Sequence, residues 1–291
     1  MNDRQLRALL LINPRARHGN AVDAAVDRML EGGMLVRTET FSPGTEVADD
    51  IARLSPDADL VVIAGGDGTL SRSAGALMKT GLPLGILPTG TANDLARTLD
   101  IPSDLVAAAD VIVAGRRQRI DVGSVNGCTF FNVATIGLGV DLAHTLDADL
   151  KRRWGRLSYA IAAVKVMTRA RPFRAWIREN GHETKVRTLQ VAVGNGRFYG
   201  GGTVVETNAA IDDGHLDLYS LEFQSVLKLA LMMRAFRTGG QGAWNGVRTL
   251  KGLEFEIRTR KPRRVNADGE MVTQTPALFK VHPAALEVFT P

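Results

Sequence analysis

The sequence predicts an α/β amino-terminal domain built on a doubly wound parallel sheet, followed by a mostly antiparallel β-rich domain. Three observations carry this. Apolar runs alternate with helix-length stretches through residue 114, the order that lays strands parallel with helices on both faces. One run, Leu60–Ala64, is apolar throughout and β-branched at Val61, Val62 and Ile63, as a strand buried on both faces requires. Past Ile120-Asp121-Val122-Gly123 short alternating segments take over, with turns such as Asn180-Gly181 and Asp213-Gly214, the pattern of a sandwich or barrel. The expected domains are 1–121 and 122–291.

Taken in order, Leu6–Ile12 reads as the first buried strand. It ends at Asn13-Pro14, where proline stops both strand pairing and helix. A loop over 13–19 carries Arg15, Arg17 and His18, and a helix follows from about Asn20 to Leu30, closed by Gly32-Gly33. Met34–Thr40 is a second strand and Thr45–Leu54 a second helix. The Leu60–Ala64 strand breaks into Gly65-Gly66-Asp67-Gly68-Thr69, with a helix expected over Leu70–Thr80. Leu84–Leu87 is a fourth strand, and helices are expected at about Asn93–Leu99 and Asp104–Ala114. The later strands are read at Thr129–Thr135, Arg174–Glu179, Thr184–Val193, Leu216–Glu222, Leu253–Thr259, Ala277–His282 and Ala285–Phe289. Helices interrupt them at about Asp149–Ala170 and Ser225–Arg237.

Composition narrows the function classes. The 291 residues are 45% apolar and 23% charged, an ordinary globular balance. The single cysteine, Cys128, excludes an internal disulfide and suits a reducing compartment. The amino-terminal residues lack the apolar run of a signal peptide, and no apolar stretch approaches the roughly 18 residues of a membrane span. A cytoplasmic location is expected. Residues 1–121 hold 13 Lys+Arg against 16 Asp+Glu, whereas residues 122–291 hold 23 against 15. The basic surplus of the second part suits an anionic partner, a membrane surface or a nucleic acid. Aromatics at 5% and no aromatic-basic RNA-binding motif argue against nucleic acid.

The chemistry concentrates at strand ends. Three glycines in the Gly65–Thr69 turn permit positive φ and remove the Cβ atoms that would hold a ligand off the backbone. A glycine turn between a strand and a helix N-terminus gathers N–H groups into a phosphate site, although a purely structural turn is the alternative. It is not a G-x-x-x-x-G-K-[ST] P-loop, nor part of a protein-kinase set, since H-R-D and D-F-G are absent. Asp67 could hold Mg²⁺ there. A second polar loop, Pro88-Thr89-Gly90-Thr91-Ala92-Asn93-Asp94, also sits at a strand end. In a parallel sheet the three loops at 13–19, 65–69 and 88–94 converge on one crevice. Gly194-Asn195-Gly196-Arg197-Phe198-Tyr199 imitates a dinucleotide fingerprint, but Tyr199 replaces the last glycine and no βαβ unit surrounds it. No H-E-x-x-H spacing offers a catalytic zinc site.

Gly65–Thr69 followed by Leu87-Pro88-Thr89-Gly90-Thr91-Ala92-Asn93-Asp94 resembles the diacylglycerol kinase catalytic domain family, with bacterial soluble lipid kinases of the YegS and DgkB type as the nearest likeness. The GGDGT core is shared with NAD kinases and phosphofructokinases, so the fold implied is theirs. The continuation Gly90–Arg97 is much more specific. The resemblance extends to Asn13-Pro14, Thr40–Gly44, Gly194-Asn195-Gly196 and Asn266-Ala267-Asp268-Gly269-Glu270.

What it implies is ATP-dependent phosphorylation of a lipid hydroxyl in an interdomain cleft. Asn13, Thr40, Gly65, Gly66, Asp67, Gly68, Thr69, Leu70, Ser71, Gly90, Thr91 and Asn93 would line the nucleotide site. Asp67, Asp94 and Asp121 match a carboxylate network around catalytic Mg²⁺, each being otherwise a helix cap or turn residue. Glu270 would be the general base, with Asp268 as orienter or metal partner; without the family, Asp-Gly between strands is a hairpin turn. Ala210-Ile211-Asp212-Asp213-Gly214-His215 resembles a structural Mg²⁺ loop, with the Asp213 carboxylate and the carbonyls of Ala210 and His215 as ligands. Basic stretches at 151–156 and 258–264 either meet a lipid surface or are solvated faces. The expected partner is therefore a lipid at a membrane surface. The alternatives are a soluble-substrate kinase of the NAD kinase type and a non-catalytic nucleotide-binding regulator.

Overall fold

The structure, a computed structural model, describes residues 5–14, 19–42, 44–138, 171–195, 198–199, 203–204, 210–222 and 246–291. The chain forms two compact units, which interleave in sequence rather than dividing once between 121 and 122. The first comprises Met1–Asn132, Asn195–His215 and Val281–Pro291, and the second Val133–Gly194 and Leu216–Lys280.

The first unit opens with β1 (Arg7–Ile12), α1 (Gly19–Glu31), β2 (Leu35–Thr40), α2 (Val47–Leu54), β3 (Leu60–Gly65), α3 (Asp67–Thr80), β4 (Leu84–Pro88), α4 (Asp94–Thr98), α5 (Leu105–Ala114), β5 (Arg117–Val125) and β6 (Cys128–Phe130). The chain then enters the second unit as β7 (Val133–Gly137), β8 (Phe173–Glu179), β9 (His182–Thr188) and β10 (Gln190–Gly194). It returns to the first for the short β11 (Phe198–Tyr199) and β12 (Thr203–Val204). The second unit continues with β13 (Leu216–Leu221), β14 (Val247–Gly252), β15 (Glu254–Thr259), β16 (Arg264–Ala267) and β17 (Glu270–Gln274). Finally β18 (Ala277–Phe289) starts in the second unit and ends in the first.

In the first unit β2, β1, β3 and β4 lie side by side and parallel, with Leu9 opposite Val61 and Ile63 opposite Ile86. The end of β18 joins β4 in parallel at Val288 and Leu84. Every residue of β3 is buried, which explains its unbroken apolar sequence. Leu9, Leu10 and Leu11 share one core with Val61 to Ile63, Met29 of α1, Ile51 of α2, Leu77 of α3 and Ile112 of α5. Asp104 caps α5 by accepting from the Ala107 N–H at 2.9 Å.

The second unit is antiparallel throughout its described strands. One sheet runs β14-β13-β10-β7-β16-β17, and in the other β15 lies between β8 and the start of β18, with β9 beyond β8. Alternate residues of β8 and β15 (Phe173, Ala175, Ile177; Phe255, Ile257) are buried. A side chain at Gly137 of β7 would meet Phe173 of β8 at 2.8 Å, so the sheets touch there.

Strands β5, β11, β12, β14, β16 and β17 are not among the expected segments, and the expected elements differ most in four places. Helix α3 begins at Asp67, not Leu70, because the glycine turn itself winds into the first helical turn, with the Leu70 N–H donating to the Gly66 carbonyl. Thr129–Thr135 divides into β6 and β7. Thr184–Val193 divides into β9 and β10 at Leu189, where the chain passes from one sheet to the other. There the Thr188 hydroxyl donates to the carbonyls of Gln190 and Leu221. The segments at 277–282 and 285–289 are instead one strand running through Pro283. The helices expected at 149–170 and 225–237, and the basic stretch 151–156, lie outside the described residues.

Candidate active site

The carboxyl ends of β1, β3 and β4 deliver the site. Asn13 follows β1 and donates from Nδ2 to the Thr69 hydroxyl at 2.7 Å, tying the first loop to the glycine turn. The Asn13 N–H donates to the Ala64 carbonyl and the Thr89 N–H to the Gly65 carbonyl, so the loops continue the ladder beyond the strands. The convergence expected from sequence is present at Asn13, the 65–69 turn and the 88–94 loop.

The glycines work by size, not by backbone freedom. Gly66 has φ −101 and ψ −177, and neither Gly65 nor Gly68 is among the residues of positive φ. A Cβ on Gly66 would stand 3.0 Å from the Gly90 Cα, and one on Gly90 would stand 2.6 Å from both the Gly66 Cα and the Asn93 Oδ1. Two loops therefore meet backbone to backbone at the start of α3.

Asn93 makes the second loop rigid. It adopts φ 51 and ψ 46, its Oδ1 accepts the Gly90 N–H at 3.0 Å, and its Nδ2 donates to the Gly90 carbonyl at 3.1 Å. Its side chain thus shapes the loop from within. Beside it, the Thr89 hydroxyl is buried with no hydrogen-bond partner among the described residues. A buried polar atom left in this state costs free energy that a ligand oxygen at the same place would recover. The motif contains Thr89, but nothing in the sequence says that its hydroxyl lacks an internal partner.

Asp67 and Asp94 come together. The Leu95 N–H at the start of α4 donates to the Asp67 Oδ1 at 3.1 Å. Burial holds the Asp67 carboxyl above its ordinary range, the adjacent Asp94 adds to that, and the backbone N–H groups of Leu95 and Asp94 oppose it. Asp94 is buried at 5% exposure. The two carboxylates are oxygen donors of the kind a divalent cation takes, and a cation between them would relieve their repulsion, but among the described residues no third His, Cys, Asp or Glu joins them.

Asp121 is held by other groups. Its Oδ2 accepts the Gly214 N–H at 2.6 Å and its Oδ1 the Ala284 N–H at 2.7 Å, and it is 2% exposed. Its own N–H donates to the Ile211 carbonyl, and its carbonyl accepts Asn195 Nδ2. It therefore clasps the 211–214 turn to the bend at Ala284. In that turn the Asp213 Oδ1 accepts the His215 N–H at 2.9 Å, and His215 Nδ1 lies 2.7 Å from the Asp213 carbonyl oxygen. Ala210 and His215 are exposed.

Thr40 ends β2 and is exposed, as is Thr91; Leu70 and Ser71 are buried in the first turns of α3. In the second unit, Asp268 (φ 45) and Gly269 (φ 92) are the two central residues of the β16–β17 hairpin, so the hairpin reading of Asp-Gly holds. Asp268 Oδ1 accepts the Val133 N–H at 3.0 Å, and Glu270 is half-buried at the start of β17. In the 258–264 stretch Arg258 pairs with Glu183 and Glu256, and Arg263 stacks 3.9 Å over the Phe173 ring. Arg260 and Lys261 are exposed.

The family model of the diacylglycerol kinase catalytic domain matches residues 7–125, and that of the YegS C-terminal NAD kinase beta sandwich-like domain matches residues 134–290. A YegS-like lipid kinase of Klebsiella pneumoniae (strain 342) is 31% identical over 98% of this chain and 96% of its own length. A diacylglycerol kinase of Mycobacterium tuberculosis (strain CDC 1551 / Oshkosh) is 33% identical over 97% of this chain and 94% of its own. A crystal structure of a diacylglycerol kinase from Bacillus anthracis superposes with a TM-score of 0.82 at 24% identity, covering 98% of this chain and 97% of that one, which establishes the shared fold. The chain belongs to the diacylglycerol kinase catalytic domain family.

Proposed function

We propose that this protein is an ATP-dependent lipid kinase that transfers the γ-phosphoryl group of ATP to the hydroxyl of a diacylglycerol-like or related lipid alcohol. The observation that supports it most is the backbone contact of Gly66 with Gly90 at the start of α3, with half-buried Asp67 and buried Asp94 beside it. A phosphate chain placed there meets main-chain N–H groups and the Thr89 hydroxyl. Asp67 and Asp94 would hold Mg²⁺, which when bound neutralises phosphate charge. In this reading no Mg²⁺ is needed at Asp213 for the loop to hold its shape, because Asp121 already clasps it.

Glu270 takes the proton of the lipid hydroxyl as its oxygen bonds to the γ-phosphorus and the bond to the β-phosphate bridging oxygen breaks, releasing ADP. Asp268, fixed to the Val133 N–H, positions the hairpin that carries Glu270. The first unit serves the nucleotide and the second the lipid. Exposed Arg260 and Lys261 would favour peripheral contact with an anionic membrane surface. Among the described residues no helix is long and apolar enough to cross a membrane.

The test is to incubate the protein with ATP labelled on its γ-phosphate and a panel of lipid alcohols in mixed micelles, with NAD⁺ as a separate arm. The expected result is label in an extractable phospholipid, absent from Asp67→Asn and Glu270→Gln proteins that remain folded. Label in NADP⁺ alone, or in no lipid, would overturn the proposal.

A further inference from the structure

On one face of the second unit's six-stranded sheet, two polar side chains stand opposite each other with nothing to bond. Asn266 of β16 is the cross-strand partner of Thr135 of β7, so the two share a face. Thr135 is 1% exposed and Asn266 3%, and neither the Thr135 hydroxyl nor the Asn266 Nδ2 has a hydrogen-bond partner among the described residues. The orientation of the amide is fixed, because its Oδ1 accepts the Gly269 N–H at 3.1 Å. That bond leaves Nδ2, a pure donor, as the unsatisfied end. The neighbours along the two strands, Ala134, Ile136, Val265 and Ala267, face the other way and are apolar and buried. An unsatisfied buried polar atom costs stability, and here two of them lie side by side where apolar residues would fit.

We propose that Thr135 and Asn266 read a carbonyl oxygen of the lipid acceptor, so that the enzyme selects alcohols whose hydroxyl lies a few bonds from an ester or amide carbonyl over alcohols that have none. The inference rests on the lipid-kinase reading and narrows its substrate class. Asn266 Nδ2 only donates, and the Thr135 hydroxyl can donate toward the same point, so the ligand atom is an acceptor with two lone pairs. A carbonyl oxygen offers both. It is also neutral, which suits two uncharged donors held away from water better than an ionised oxygen does. The surroundings suit a lipid. Met271 of β17, opposite Asn266, is 37% exposed, and Ala192 of β10, opposite Thr135, is small and buried. The row Ala192, Thr135, Asn266, Met271 thus sets the donor pair between apolar side chains across four strands. Met271 directly follows Glu270, the residue proposed to take the hydroxyl proton, so the carbonyl-reading pair lies beside the hairpin that carries the base.

Two acceptors matched in chain length test it: dioctanoylglycerol and dioctylglycerol, its diether analogue, each in mixed micelles with ATP labelled on the γ-phosphate. Both carry the same free hydroxyl, and only the diester has carbonyl oxygens. The wild type is expected to favour the diester about 10–100-fold in kcat/KM, the scale of two hydrogen bonds that the diether cannot make. Thr135→Val keeps the shape and removes the hydroxyl. It should raise the KM for the diester about tenfold, narrow the preference by the same factor and leave the KM for ATP alone, and Thr135→Ser should keep the preference. Since the hydroxyl has no partner among the described residues, Thr135→Val should melt no lower than wild type. Asn266→Asp keeps the acceptor for the Gly269 N–H and removes the donor, so it should narrow the preference too; the Thr135 variants decide the matter if it fails to fold. Equal use of both acceptors by the wild type, or a Thr135→Val protein with the full preference, would overturn the proposal and leave the lipid-kinase reading standing. Label in neither lipid would overturn that reading and this inference with it.

Discussion

Two glycine-bearing turns of this molecule use glycine for opposite reasons. At the Gly66–Gly90 contact the backbones are in ordinary conformations, and what matters is the missing Cβ, which would sit 2.6 Å from the opposing Cα. At Asp268-Gly269 there is open space around Gly269, and what matters is φ 92. The first turn brings two loops into the close contact that the proposed function uses as a phosphate cradle. The second bends a hairpin tightly enough to set Glu270 at the start of β17. The same residue type thus allows a close approach of two backbones in one unit and a tight hairpin in the other, and substitutions should separate the two.

The largest effect is expected at the cradle's carboxylate. Asp67→Asn should lower phosphoryl transfer by about 10²–10³-fold, the scale of losing one preorganised charge-stabilising group. The same variant carries a stability signature. Because burial raises the folded-state pKa of Asp67, the folded protein holds that proton more tightly than the unfolded chain does. The ionised carboxylate therefore costs stability at neutral pH, and the cost disappears as pH falls below the unfolded value of about 3.9. Asp67→Asn should unfold at a higher temperature than wild type at pH 7, with the gain shrinking as the solution is acidified; a gain that grows on acidification would contradict the burial account.

Gly90→Ala comes next. Its methyl group must push Gly66 and Asn93 aside, an overpacking cost of about 1–3 kcal/mol, and the KM for ATP should rise with it. Gly269→Ala should cost about 1–2 kcal/mol through backbone conformation alone, with the KM for ATP unchanged. Chemical denaturation and steady-state kinetics on both variants would show whether the two glycines separate in this way. The smallest effect belongs to Thr89→Val, which removes a hydroxyl with no partner among the described residues: stability should hold within about 0.5 kcal/mol while ATP binding weakens.

Much of the first unit was legible because each of its central strands is buried on both faces and its loops end in glycine, proline or Asp. Asp67 and Gly90 announced themselves through the spacing of the two motifs. Asp121 did not. Its carboxylate bonds to Gly214 and Ala284, 93 and 163 residues away in sequence, and no local pattern encodes such pairings. The crossing at Leu189 was hidden for a related reason, since a threonine hydroxyl and not a Gly or Pro turns the chain there. The break expected between 282 and 285 is absent: β18 continues through it, and beside Pro283 the Ala284 residue takes φ 48 and donates its N–H to the Asp121 carboxylate.

The central claim is a division of labour, with ATP held by the first unit and the lipid proton taken by Glu270 of the second. Measuring ATP affinity and single-turnover lipid phosphorylation side by side for Glu270→Gln tests it most directly. The account predicts wild-type ATP affinity together with a fall of about 10²–10⁴-fold in the transfer rate. Transfer within about tenfold of wild type, or a loss of ATP binding that matches the loss of transfer, would contradict it.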